Sequence, residues 1–300
     1  MASRIELEMA QRAAVGGPPV SPVMANIRTL VIAALLLIAF WPILVSMYGS
    51  WFDEYTYMEH GILVFPAAAY MVWIKRKKLA QVPVQPSRWG LALLAWGALQ
   101  AILGTAAQWV FVTRTAFLVS LVGAIAAQCG WRMVRELTYP LATLMLMIAP
   151  PTFIFERLTL DLQLLASRMG EFCLEALGFS VMREGNILEL VGMRLSVEEA
   201  CSGIRSLFSI LFMCVLYNYF FVRGNVMRTL ILVMAIPVAI LGNAGRIVAT
   251  GIASQYNRQL VQGAAHEAFG YVSVVIAGIG CVVLHLLMKY TQRVWRSQHV

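Results

Sequence analysis

The chain has 300 residues, 60% of them hydrophobic and only 13% charged, with a mean hydropathy of +0.74. Soluble domains are about half apolar and about a quarter charged, so this balance excludes an ordinary soluble enzyme and indicates an integral membrane protein. The net charge of +8 raises nucleic-acid binding, but the basic residues fall in short clusters between apolar runs. With no zinc-finger spacing, basic helix or aromatic RNA platform, that class is set aside.

Residues 1–25 are polar, then rich in Gly and Pro, with no clear cleavage site after the first apolar run. They read as a disordered cytoplasmic tail. Eight apolar spans follow, at about 29–49, 61–74 with flanks, 90–111, 115–131, 137–154, 202–222, 228–252 and 267–288. Each approaches the roughly 20 residues that a spanning helix needs, the second and fourth being short. Arg4, Arg12 and Arg28, then Lys75 to Lys78, Arg132 and Arg135, Arg223 and Arg228, and finally Lys289, Arg293 and Arg296 all fall on one side if both termini are cytoplasmic. The loop from Ser50 to His60 carries Asp53, Glu54 and Glu59 and no cation, as an outer loop should; Arg114 is the one awkward outer cation. Trp51, Tyr55 and Tyr57 read as aromatic-belt residues.

The expected fold is therefore an all-α polytopic membrane protein, an eight-helix bundle over residues 26–290 between the tails 1–25 and 291–300. Between spans five and six, residues 155–200 face outward. Phe155, Leu158, Leu162, Leu165, Met169, Phe172 and Ala176 make one apolar stripe, predicting an amphipathic helix in the interface or across the bundle mouth. Residues 186–191 and 193–198 read as a β-hairpin around Gly192. It leads directly into Glu198-Glu199-Ala200-Cys201-Ser202-Gly203-Ile204-Arg205-Ser206.

Cys201 thus stands where a helix enters the bilayer, with Arg205 one turn on. A thiol near a helix N-terminus beside a cation is where a usable thiolate forms, although most free cysteines are simply buried small hydrophobes. The five cysteines, at 129, 173, 201, 214 and 281, are scattered singly, which argues against a disulfide framework or a metal site. Arg246 lies 18 residues beyond Arg228, about 27 Å along a helix and so near the outer boundary, with Asn243 one turn earlier. An arginine inside an apolar span marks a functional site or snorkels to the headgroups. His266 opens span eight from the outer loop. A thiol, an imidazole and a guanidinium at one depth supply a nucleophile, an acid/base and an oxyanion stabiliser. His60 on the same face either joins the site or anchors span two.

Taken in order, five blocks resemble the exosortase/archaeosortase family of multipass membrane transpeptidases. They are Asp53…His60-Gly61, Arg183-Glu184-Gly185-Asn186, Glu199-Ala200-Cys201-Ser202-Gly203-Ile204-Arg205-Ser206, Asn243…Arg246, and His266 with Gly270. Glu59 departs from the pattern, in which a small residue precedes His60-Gly61. The resemblance implies that Cys201, Arg246 and His266 are catalytic, with Arg205, Asn243, His60 and Glu199 supporting or substrate-binding. It further implies a multi-pass inner-membrane thiol protease or transpeptidase with its site facing the periplasm. Its substrates would be exported proteins ending in a Pro-Glu-Pro-type signal, a spanning helix and a basic tail. They would pass through a thioester to an envelope acceptor amine. Arg205, and after it Arg114 or Arg194, would meet the acidic signal. No metal or organic cofactor is implied, and no partner beyond these proteins and the lipid bilayer. A plain cysteine peptidase, a transporter and a non-catalytic factor in envelope polysaccharide assembly are the alternatives; a transporter would place its polar groups at the midplane.

Overall fold

The structure, a computed structural model, describes residues 22–53, 58–191, 193–197, 203–256 and 263–298. Helices α1 (Pro22–Ala39) and α2 (Trp41–Trp51) form one bent unit, turning by 65° at Phe40, where Pro42 in the first turn of α2 removes a backbone donor. Helix α3 (Gly61–Leu79) returns and ends on Arg76, Lys77 and Lys78. Helices α4 (Arg88–Ala106) and α5 (Val110–Cys129) form the tightest pair. Gly90, Gly97 and Gly104, seven residues apart, let their backbones touch: a Cβ on Gly90 would run into the backbone N of Ala127.

Two short helices follow, α6 (Trp131–Glu136) and α7 (Thr138–Leu144), the latter ending in a 3-10 turn at Met145–Met147. Pro150 and Pro151 break the path there, and the chain bends by 77° into α8 (Thr152–Ala176). Helices α9 (Ile204–Phe221), α10 (Asn225–Tyr256) and α11 (Gly263–Gln298) complete the bundle. The helices alternate in direction, so Arg28, Lys75 to Lys78, Arg88, Arg132 and Arg228 share one end, the basic end, while Trp51, His60, Met147 and Gly203 share the other.

Among the described residues five helices are long and apolar enough to cross a membrane: α4, α5, α9, α10 and Gly270–Trp295 of α11. Counting each bent pair as one span gives up to seven, so the expected count of eight is not reached among the described residues. Hydropathy measures how long an apolar run is and is blind to bends. α3, the remaining expected span, has only 14 residues before Lys75.

The expected hairpin is a three-stranded antiparallel sheet, β1 (Val181–Glu184), β2 (Ile187–Leu190) and β3 (Met193–Ser196). β2 pairs with both neighbours, placing Leu188 opposite Arg183 and Leu195. Leu188, Leu190, Leu195 and Val197 are buried against Ala166 and Leu174 of α8 and Ile247 of α10. Each such side chain contributes about 1.5–3 kcal/mol when fully buried. α8 packs on the rest of the protein with a face beside the expected apolar stripe. Its buried face is Thr159, Leu162, Gln163, Ala166, Ser167, Gly170 and Leu174, while Leu165 and Phe172 are exposed. Small residues win that face because α10 comes close: a Cβ on Gly170 would sit 2.8 Å from Ile247.

Candidate active site

The sheet controls how the chain reaches its cysteine. Gly185, at φ +65°, turns β1 into β2, and Asn186 clasps Val197 twice. The Val197 N–H donates to Asn186 O at 2.9 Å, and Asn186 Nδ2 donates to Val197 O at 3.1 Å. Arg183 Nε donates to Glu171 at 2.8 Å and Nη1 to the Gly185 carbonyl at 2.9 Å, fixing the turn on α8. The Arg-Glu-Gly-Asn block therefore acts as a clasp on Val197, four residues before Cys201. Glu199 and Cys201 themselves, with Glu54, Tyr55, Tyr57 and Gly192, lie outside the described residues.

The chain resumes at Gly203, the N-cap of α9, with φ +83°, a left-handed conformation that glycine adopts at little cost. A Cβ there would also come within 2.8 Å of the Asn243 amide. Asn243 on α10 is 2% exposed, and Arg246 one turn on is 7% exposed. A headgroup-seeking arginine would reach outward, whereas this one turns into the protein. Arg246 Nη1 extends to α11 at Gly270, where an added Cβ would lie 3.3 Å away. Gly270 is one turn after His266, which the first turn of α11 carries; the His266 side chain lies outside the described residues. Two close approaches thus join three helices, Gly203 to Asn243 and Gly270 to Arg246. Gly203, Asn243, Arg246 and Gly270 gather at one end of the bundle.

Arg205 lies in the first turn of α9, and its Nη1 pairs with Glu59 Oε1 at 3.3 Å, both groups partly exposed. The residue that departs from the family pattern is thus the counter-charge of the cation beside Cys201. Sequence reasoning missed this pair, although opposite charges beside two site blocks were the available signal. His60 is buried and its Nε2 donates to the Leu146 carbonyl at 3.0 Å. Trp51 Nε1 donates to the next carbonyl, Met147, at 3.1 Å. Both side chains satisfy carbonyls that the broken α7 end leaves over. His60 is thereby an anchor of that break, and Trp51 a packing residue against Gly61. The His60 ring also stacks on Phe208, ring centres 6.2 Å apart, and Phe208 stacks on Phe155 at 6.4 Å.

Two of the cations expected to meet an acidic ligand are committed elsewhere. Arg114 is 8% exposed and its Nη2 donates to Ser46 O at 3.1 Å and Ser46 Oγ at 3.3 Å, fastening α5 to α2. Arg194 pairs with Glu189 across β2 and β3. Arg246, by contrast, lines an open groove of about 450 Å³ between α10 and α11, with Gly242, Gly245, Ala249, Ser273 and Ala277 along it. Beneath Gly203 and Asn243 is a void of about 10 Å³, room for one water at most.

A family model described as transmembrane exosortase matches residues 51–284, most of the chain and the whole of this site. No curated protein and no solved structure matches.

Proposed function

The chain belongs to the transmembrane exosortase family, and we propose that it is a cysteine-dependent transpeptidase that cuts a C-terminal sorting signal from exported proteins. What supports this reading above all is the pair of contacts Gly203–Asn243 and Arg246–Gly270. Through them Gly203, two residues after Cys201, the buried guanidinium and Gly270, four residues after His266, belong to one small region. Such a gathering of thiol, cation and imidazole suits acyl transfer.

His266 takes the Cys201 proton, and the thiolate attacks the scissile carbonyl carbon. Arg246 stabilises the oxyanion that forms. When the carbon–nitrogen bond breaks, His266 returns the proton to the departing amine and a thioester remains on Cys201. An acceptor amine of the envelope then attacks the thioester, forming a new amide and releasing the thiol; water in its place would give hydrolysis. In this reading the gain for the nucleophile comes from its place in the sequence, just ahead of α9, whose N-terminus carries partial positive charge.

In the proposed orientation both termini are cytoplasmic, in the inner membrane, and the site faces the periplasm. A signal of Pro-Glu-Pro type would then reach Arg205, displacing Glu59 as its partner. The spanning helix that follows the signal would lie in the groove between α10 and α11. Gly245 favours that occupant: it is exposed, and a Cβ there would meet nothing within 4 Å. Glycine inside a helix costs about 0.8–1.0 kcal/mol relative to alanine. Close approach of another helix gives that cost a purpose, which a lipid chain would not.

The test is co-expression with a tagged protein bearing the signal, helix and basic tail. Cys201→Ala should leave it unprocessed, while processing at the wild-type rate would defeat the proposal. Sequencing the new C-terminus of the product separates transfer to an amine from hydrolysis.

A further inference from the structure

At the basic end, far from this site, a cleft of about 640 Å³ opens between α1, α4 and α5. Its volume falls within the about 300–1,000 Å³ of small-molecule sites. Leu35, Phe40, Leu91 and Leu94 give it apolar walls, and Arg28 and Arg88 stand at its mouth. No carboxylate lines it, and among the described residues neither guanidinium has an ion-pair partner. The mouth holds a third electropositive element. Ser87, the N-cap of α4, lines the cleft without a side-chain cap bond, so the positive end of that helix faces the same place.

The length of the cleft restricts the occupant. From Arg28 to Phe40 is 12 residues of nearly straight helix, about 18 Å at 1.5 Å per residue. The hydrocarbon of one leaflet is about half of 30 Å. The cleft is therefore one leaflet deep, apolar along its length and doubly cationic at the surface. A neutral lipid would leave the guanidinium charges unanswered, and a free inorganic anion would leave the apolar walls facing nothing. We infer that this cleft is a binding site for an anionic phospholipid, its phosphate held between Arg28 and Arg88 and an acyl chain lying along Leu35, Leu91 and Leu94 toward Phe40.

The inference is independent of the catalytic reading, because its test measures lipid rather than processing. The full chain is purified in mild detergent and titrated with phosphatidylglycerol or phosphatidylcholine of equal chain length, with bound lipid counted by native mass spectrometry. One phosphatidylglycerol should bind on the order of tenfold or more tightly than phosphatidylcholine, about what two arginines near an anionic lipid supply. Arg28→Gln with Arg88→Gln should abolish that preference. Ala98→Trp, which fills the cleft from an exposed position and leaves both cations in place, should reduce binding of both lipids. Arg132→Gln with Arg135→Gln, which removes two charges from a separate cavity at the same end, should leave binding as in wild type. Thermal unfolding of each variant establishes that it is folded. Equal binding of the two lipids by the wild type would overturn the assignment. So would equal losses from the two arginine pairs with Ala98→Trp binding normally, since diffuse surface charge would then suffice.

Discussion

Two arginines sit inside apolar helices of this protein at nearly the same burial, Arg114 at 8% and Arg246 at 7% exposure. Both lie toward the end of the bundle that carries Gly203. Their surroundings differ in kind. Arg114 meets the carbonyl and hydroxyl of one residue, Ser46, and so ties α5 to α2. Arg246 lies three residues after Asn243, reaches a glycine on the next helix and lines an open groove of about 450 Å³. Burial of a cation thus says only that the charge must be answered. A cation pinned to a backbone carbonyl behind it is a fastener. One beside an open groove is, in the proposed mechanism, within reach of a reacting oxygen.

Substitutions at the two positions should separate these roles, and this is the largest effect expected. Arg246→Lys keeps a charge but loses the planar fork of donors. It should lower the rate of signal cleavage by about 10²–10³, as the removal of an oxyanion donor does, with little change in thermal stability. Arg114→Met should do the reverse. Leaving the Ser46 groups without their donor costs about 1–3 kcal/mol, seen as a lower Tm, while cleavage per folded molecule stays near wild type. Cleavage rate and Tm measured on the same preparations decide the matter. If Arg114→Met is the inactive variant and Arg246→Lys the unstable one, the contrast is inverted.

The glycines that bring Arg246 into place offer a finer test. Gly270→Leu puts a branched side chain where Arg246 Nη1 now lies 3.3 Å from an added Cβ. Cleavage should fall by on the order of tenfold or more, because a displacement of about 1 Å in a catalytic group can cost about 10² in rate. Gly203→Ala combines a positive φ with a 2.8 Å approach to Asn243, so both stability and cleavage should drop. The strain alone is roughly 1–2 kcal/mol. Gly245→Ala, with open space around it, should raise Tm slightly, since alanine is favoured over glycine inside a helix by about 0.8–1.0 kcal/mol. These three variants rank by how near each glycine lies to the guanidinium and the start of α9, and an effect of Gly245→Ala as large as that of Gly270→Leu would dissolve the ranking.

The contrast also explains what the sequence could and could not reveal. Arg246, Asn243, His266 and the Cys201 peptide stood out because polar residues at the ends of apolar runs are conspicuous in one dimension. Arg114 stood out for the same reason, and one dimension held nothing to show that Ser46, 68 residues earlier, answers it. The partner of His60, the Leu146 carbonyl, lies 86 residues on, before the Pro150–Pro151 break, and no local pattern around His60 announces it. The membrane spans were legible as runs of apolar residues, while the 65° and 77° bends depend on how those runs pack. β1 escaped because Val-Met-Arg-Glu does not alternate, and its pairing with β2 supplies the missing signal. On α8 the large residues drew the eye, whereas close packing on α10 favoured the small ones.

A smaller effect concerns the one cation of the site whose counter-charge is partly exposed. Glu59→Gln removes the carboxylate from Arg205, now 3.3 Å away. The pair is too solvated to contribute more than about 0–1 kcal/mol, so Tm should barely change. If an acidic signal competes with Glu59 for Arg205, the variant should show a KM lowered several-fold and an unchanged kcat, and Arg205→Gln should show a raised KM. An unchanged KM in both would leave Arg205 with a purely local role, a fastener like Arg114.

The smallest effect lies at the basic end, where a fastener can be watched titrating. Lys78 Nζ donates to Glu136 Oε2 at 2.7 Å, and Lys75 Nζ donates to the Glu136 carbonyl at 2.9 Å, so one residue of α6 holds the last turns of α3. The hydrogen bond from Lys78 holds the Glu136 carboxyl below its usual value, with the Lys78 and Lys75 charges adding to it and partial desolvation opposing. A carboxyl depressed in the folded state binds its proton less readily there than in the unfolded chain. Its stabilising contribution is therefore complete above the ordinary carboxylate value of 4.5 and is lost as pH falls through the lower folded value. Thermal melts of wild type and Glu136→Gln from pH 7 downward should differ slightly at pH 7 and converge in acid, the variant lacking this part of the pH dependence. Parallel melts at every pH would mean that Lys75 and the backbone carbonyl make the join on their own. The acid titration of Glu136 would then contribute nothing to how α3 is held.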